Sequence, residues 1–153
     1  MGNEFREKFA DFISDFSDHR NMVLSTSFDD RVTSRMMSVI QLDGCFYFQA
    51  DITSRKAEQI LHNENVSLCI DNIQIDGICE SIARPLNHKK FCALFSKYFS
   101  VAYQLYTSLG NERLFKIEPI RIQKWIYGNG MPYIEIFDCE NHKYKRTAYV
   151  VEE

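Results

Sequence analysis

Asp43-Gly44 separates two runs of β-forming residues, Val32 to Leu42 and Cys45 to Ala50. That dipeptide suits a two-residue hairpin turn, whose central positions need positive φ. A second short turn, Asp29-Asp30, joins Val32 to Leu42 to an earlier run, Met22 to Phe28. Strands joined this tightly must run antiparallel, because a parallel pair needs a crossover of about a dozen residues or more. The chain is thus committed to an antiparallel meander within its first third.

Helices punctuate the strands. Phe5, Phe9, Phe12, Ile13 and Phe16 recur at helical spacing among charged residues, which predicts an amphipathic helix over residues 4–18. A short helix follows the third strand, with Thr53 or Ser54 as its N-cap and Ala57, Ile60 and Leu61 as its apolar face. Val66 to Ile70 and Ile73 to Ala83 read as two more strands around Asp71-Asn72. Gly77 marks a bulge in the second of them, since Ile73 and Ile75 share a parity that Ile78 and Ile82 leave. Pro85 and Asn87 open a helix that buries Phe91, Leu94, Phe95 and Tyr98, and Ser100 to Asn111 continues with a helical turn or two. Leu114 to Ile126 is a strand interrupted near Glu118-Pro119, and Tyr133 to Phe137 and Tyr144 to Val150 are short terminal strands. One mainly β domain spans 1–153, with its barrel core over about 21–127. A closed antiparallel barrel suits about six main strands, because closure removes exposed edges.

The composition narrows the function. The 153 residues carry a net charge of −3, against the basic excess of most nucleic-acid modules. We expect neither nucleic acid nor a membrane as partner, and no apolar run is long enough for a spanning helix. The polar stretch Met1 to Glu7 predicts no secretory leader, and Arg6 departs from a myristoylation signal. Five cysteines without a CxxC pair predict no zinc cluster and fit a reducing cytoplasm, with Cys45 and Cys69 as packing residues. The four histidines are scattered at expected helix ends and loops, so no metal site is expected.

The chemically telling stretch is Thr53-Ser54-Arg55-Lys56. Two cations stand in the first turn of a helix, where the macrodipole disfavours them by roughly 0.3–1 kcal/mol each. Hydroxyls and free backbone N–H groups meet there too, and a bound phosphate would satisfy them all. The bland reading is that both side chains turn into solvent. Arg35, in the neighbouring arginine strand, can reach the same anion; its bland reading is a surface arginine.

In order along the chain come Val23-Leu24-Ser25-Thr26-Ser27, the Arg35 strand, Asp43-Gly44-Cys45-Phe46-Tyr47-Phe48, and Ser54-Arg55-Lys56-Ala57. Asn63-Glu64-Asn65-Val66-Ser67-Leu68, Gln74-Ile75-Asp76-Gly77, and Leu114 to Pro119 with Trp125 follow. This series resembles the pyridoxamine 5′-phosphate oxidase-like family of flavin-binding split barrels. The resemblance implies a six-stranded antiparallel split β-barrel that forms a homodimer, with FMN in clefts at the subunit interface. It implies that Arg35, Ser54, Arg55 and Lys56 hold the FMN phosphate, and that Met36, Met37, Ser38 and Val39 line the flavin ring. Gln49 and Ala50 would approach the cofactor, while Asn72 and Trp125 would reach it across the interface.

Two departures limit what carries over. Ile40 stands where the family's oxidases have a lysine, and Tyr133 to Glu153 contains no R-x-H-D-R-type substrate segment. Pyridoxamine phosphate oxidation is therefore not expected, and the substrate and electron donor stay open. An FMN-dependent oxidoreductase, a non-catalytic flavin-binding, storage or stress protein, and a barrel holding deazaflavin or haem (with His142 as axial ligand) are the alternatives. The aromatic run from Phe91 to Tyr106 reads as helix core, or else as a wall over the flavin.

Overall fold

A computed structural model describes residues 3–151; the Met1-Gly2 start and the last two residues lie outside the described part. Four helices, α1 (Asn3–Phe16), α2 (Arg55–His62), α3 (Lys89–Tyr98) and α4 (Ser100–Tyr106), accompany eight strands. The strands are β1 (His19–Phe28), β2 (Arg31–Leu42), β3 (Cys45–Asp51), β4 (Asn65–Ile70), β5 (Ile73–Ala83), β6 (Glu112–Gly128), β7 (Met131–Asp138) and β8 (Lys143–Ala148).

All pairings are antiparallel, in the order β3-β2-β1-β4-β5-β6-β7-β8. A further pairing, Phe46↔Ile117 to Asp51↔Glu112, joins β3 to β6 and closes the first six strands into a barrel. The acidic turns behave as their composition requires: Asp29, Asp30, Asp43 and Gly44 all have positive φ.

The barrel interior is apolar. Met22, Leu24, Val39, Phe46, Phe48, Leu68, Ile75, Phe115, Ile117 and Ile122 are fully buried there. A helix of fourteen residues is marginal alone. α1 is held by burying Phe12 and Phe16, worth about 1.5–3 kcal/mol each. A second cluster lies on the outside, where Phe91 and Phe95 of α3 cover Ile40, Tyr47 and Leu114.

Five expectations need correction. β5 keeps one phase from Ile73 to Cys79, with Ile73, Ile75, Gly77 and Cys79 inward. At the Gly77 shift the extra residue is Ile120 of β6, since Asp76 pairs with Arg121 and Gly77 with Pro119; a second shift, between Ser81 and Ala83, leaves the exposed Ile82 as an extra residue of β5. Gly77 is needed for contact instead: a Cβ there would sit 2.5 Å from Ile117 Cγ2 and 3.0 Å from the Glu118 carbonyl oxygen. The strand is also not interrupted at Glu118-Pro119. β6 leaves β3 after Ile117 and meets β7 from Arg121, so proline falls where one edge has no ladder partner. Leu61 faces solvent, and Gln59 takes the buried place beside Ala57 and Ile60. Cys69 is exposed on β4, not packed, and His19 opens a strand instead of lying in a loop.

Candidate functional site

Ser54 caps α2. Its hydroxyl donates to the Asp51 carbonyl at 2.7 Å and accepts from the Ala57 amide at 3.4 Å. Asp51 in turn accepts from the Thr53 amide at 2.7 Å and the Thr53 hydroxyl at 2.6 Å, which pulls its carboxyl below the usual range. The loop is thus braced by its own polar groups, and the first-turn amides of Arg55 and Lys56 are left facing outward.

Arg35 reaches this helix from β2, and a polar relay fixes its guanidinium. It donates to the Leu24 carbonyl at 3.2 Å, to the Thr26 hydroxyl at 2.8 Å and to the Thr33 hydroxyl. Thr26 and Thr33 each donate at 2.6 Å to Gln59 Oε1 on the buried side of α2. The register explains the assembly: Leu24 pairs with Arg35 and Thr26 with Thr33, so all four side chains share one face beneath α2.

Three cations therefore converge. Burial first and the Arg55 charge second push the Arg35 guanidinium towards losing its proton. Lys56 is pushed down by burial and then by Arg35, with Glu112 and Asp51 opposing. Among the described residues none of the three forms an ion pair with a carboxylate. Glu112 is buried nearby, and its carboxyl is pushed up by desolvation and by Asp51. Beside Arg55 opens a cleft of about 230 Å³ lined by Phe28, Asp29, Arg31, Glu58 and Gln59. A fixed guanidinium fork, a lysine, an arginine and two outward amides make a donor set suited to a phosphate monoester, while the Ser54 hydroxyl, its one proton given to the Asp51 carbonyl, holds the helix start in place.

The other expected residues separate. Met36 points outward and is 63% exposed, and Ser38 shares its face. Met37 and Val39 turn into the core, which leaves only their backbone for a ligand on the outer face. Ala50 is in the core, and Gln49 is buried with its Oε1 accepting from Thr107 at 2.9 Å. Asn72, in the β4–β5 turn, and Trp125, on β6, pair with each other on other strands than Arg35: the Trp125 amide donates to the Asn72 carbonyl at 3.1 Å, and the Asn72 side chain donates to the Trp125 carbonyl.

Thr26, Thr33 and Gln59 escaped sequence reasoning. Their signals were present: Thr33 shares parity with Arg35, the Asp29-Asp30 turn places Thr26 opposite Thr33, and Gln59 is a polar residue beside Ile60 on a short apolar face.

Residues 5–126 match the family model described as pyridoxamine 5′-phosphate oxidase. No curated protein matches the chain. Among solved structures, General Stress Protein 26 of Bacillus anthracis is 25% identical, over 76% of this chain and 89% of that one, at a TM-score of 0.57. A pyridoxamine 5′-phosphate oxidase-related, FMN binding protein of Nostoc punctiforme is 14% identical, over 86% and 88%, at 0.61. The haem storage protein HutZ of Vibrio cholerae is 16% identical, over 76% and 86%, at 0.57.

Proposed function

This chain belongs to the pyridoxamine 5′-phosphate oxidase family, and on that premise we propose that it is a homodimeric, FMN-dependent oxidoreductase. The observation that carries the reading is the convergence of Arg35, Arg55 and Lys56 without a carboxylate counter-ion. When bound, the flavin supplies hydride or electron transfer, and the protein supplies position and charge.

The chain's own residues divide that work. Arg55 and Lys56 neutralise the phosphate, and the first-turn amides, held in place by Ser54, orient it. Thr26, Thr33 and Gln59 keep the Arg35 fork in one geometry, so little side-chain entropy is lost when an anion arrives. Met36 and Ser38 offer an outer strand face for the ring.

The same outer face supports a dimer. Met36 pairs with Val23, which pairs with Cys69, and Ser34 pairs with Ser25, which pairs with Ser67. These small or apolar side chains form a strip between α3 and α4, which pack at the Ile40 end, and Asn63 of the α2 cap, which bonds to Ser27 at the other. A second copy seated on it would bring its own Asn72–Trp125 pair towards the ring. Five cysteines, none in a disulfide, favour a cytoplasmic home, and no helix is long and apolar enough to cross a membrane. The acidic net charge favours neither nucleic acid nor an anionic membrane as partner.

An absorbance spectrum of purified protein, before and after incubation with FMN, tests the cofactor. Oxidised-flavin bands that survive gel filtration support the reading. A Soret band moves the protein to the haem alternative, and neither band overturns the flavin assignment. Reduction of the bound flavin by NADH or NADPH then supports an oxidoreductase. A flavin that neither reduces points to the binding and storage alternative.

A further inference from the structure

Ser17, Asp18 and His19 join α1 to β1 through an unusually firm mount. The buried Gln41 holds it: its backbone amide donates to the Asp18 carbonyl at 2.9 Å and its side-chain amide to the Ser17 carbonyl at 2.8 Å. Its Oε1 accepts the Gly44 amide at 2.8 Å, so the mount is tied to the β2–β3 turn as well. On this mount, His19 Nδ1 lies 3.0 Å from Asp18 Oδ1. The Tyr98 hydroxyl reaches Asp18 Oδ2 at 3.3 Å, and the Tyr98 ring stacks on the imidazole at 3.6 Å between centroids and 8° between planes. Phe99 meets the same imidazole edge-on at 5.9 Å.

The hydrogen bonds fix the tautomer. The Asp18 carboxyl is held below its usual range, by the His19 bond first, so at neutral pH it can only accept. Nδ1 must donate to it. In the neutral ring Nε2 then carries the lone pair, and among the described residues nothing bonds to it. An aspartate that orients an imidazole and leaves the far nitrogen free is the arrangement of a proton-transfer group.

Position gives the dyad its use. His19 pairs with Ile40 and shares the outer face with Met36 and Ser38. It stands about 7 Å along the strands beyond Ser38 and roughly 17 Å from Arg35, at the end opposite the phosphate cradle. The charged and titratable groups around it are few. Asp18 and Tyr98 touch it, Lys97 of α3 lies over the far Tyr98 ring, and Arg20 is turned back onto the Phe16 and Asp15 carbonyls. β2 contributes only Ile40 and Gln41 on this side.

We propose that His19 binds and releases the proton that accompanies flavin reduction, with Asp18 and Tyr98 as its positioning residues; this rests on the flavin reading above. When bound, the flavin would accept a hydride, two electrons and one hydrogen nucleus, from a donor of the dihydronicotinamide class, which would leave oxidised, so one negative charge would be added at the ring. His19 Nε2 would take up a proton from hydronium or a buffer acid in solvent, forming its second N–H bond and balancing that charge, and would return it to solvent when a two-electron acceptor removes the hydride.

The test measures the midpoint potential of FMN-loaded protein against pH, in the wild type and in His19→Gln, with FMN affinity measured alongside. If reduction tightens proton binding at His19 about tenfold, the wild-type potential exceeds that of the variant by about 30 mV at acid pH, and the two curves converge at alkaline pH. Asp18→Asn shrinks that gap, and Tyr98→Phe moves it less. A merely structural histidine would shift the curve uniformly. Parallel or superimposed curves with FMN bound by both proteins overturn the role of His19 and leave the flavin reading intact. Failure of the wild type to bind FMN overturns both.

Discussion

Replacing Lys56 by Met separates what the lysine does for the fold from what it does for a ligand. Lys56 is half-buried, is repelled by Arg35, and has no carboxylate in ion-pair range among the described residues. Methionine keeps the apolar stem and removes the charge, so stability without FMN should change by less than about 0.5 kcal/mol. With FMN the outcome differs. A charge-assisted hydrogen bond contributes about 1.5–3 kcal/mol, so its loss weakens binding on the order of ten- to a hundredfold. At an FMN concentration one hundred times the wild-type Kd, the wild type gains about 2.7 kcal/mol from binding. A variant with a hundredfold weaker Kd gains only about 0.4 kcal/mol at the same concentration. For a chain of this size the difference is a loss of roughly 5–9 °C of ligand-induced rise in Tm. Thermal and urea unfolding, each with and without FMN, measure both halves. A variant that loses more than about 1 kcal/mol without FMN would show that the fold itself relies on the Lys56 charge. A variant with an undiminished FMN shift would show that the lysine does not hold the phosphate.

Other perturbations address the surroundings of the site. Because the folded state lowers the Lys56 pKa, the unfolded chain binds more protons between that lowered value and the ordinary lysine range. Ligand-free stability of the wild type relative to Lys56→Met should therefore rise with pH across that window, as read by urea midpoints. Glu112 has the opposite sign: its raised pKa adds a cost as pH climbs out of the ordinary glutamate range. Glu112→Gln should accordingly match the wild type near pH 4 and exceed it at pH 7, and equal midpoints at both would refute the shift. Gly77→Ala forces a Cβ against Ile117 and the Glu118 carbonyl and should cost about 1–3 kcal/mol in chemical unfolding. Cys69→Arg places a charge on the exposed strip of β4; sedimentation should then show monomers against the dimer proposed for the wild type, and an unchanged dimer would place the interface elsewhere.

The strand framework was legible because its signals are local. Two acidic turns set the registers of β1, β2 and β3, and the phenylalanine spacing of α1 marked its buried face. Closure was harder to see, since β3 and β6 pair across sixty or more intervening positions and no turn records that choice. The bulge was assigned to Gly77 because a strand's partner cannot be read from its own parity. At Gly77 the extra residue lies in β6, where that strand changes neighbours, and β5's own extra residue is Ile82, further along. In the site, Arg55 and Lys56 announced themselves by charge in an unfavourable place, Ser54 by its capping position, and Arg35 by its place on the neighbouring strand. Thr26, Thr33 and Gln59 are ordinary residue types, informative only once two strands and a helix are superposed. Val39 and Ala50 show the limit of motif reading: a motif names positions, but strand parity decides which side chains face out.

Phe5, Phe9 and Phe12 of α1 all meet Phe137 of β7, at ring separations of 6.3, 6.3 and 5.5 Å, and Lys8 lies over Tyr144 of β8. During synthesis α1 thus leaves the ribosome well before its partner rings on β7 and β8. Until then only Phe16, against Phe46 of β3, and Phe9, beside the Gly44 turn, have native partners, and the rest of the face stays uncovered. The barrel cannot close before residue 112 emerges, and α1 cannot dock fully before residue 137. Synthesis order and assembly order therefore run in opposite directions at this end of the molecule. The exposed aromatic helix of a half-made chain is where holding by a chaperone, or aggregation in its absence, would begin.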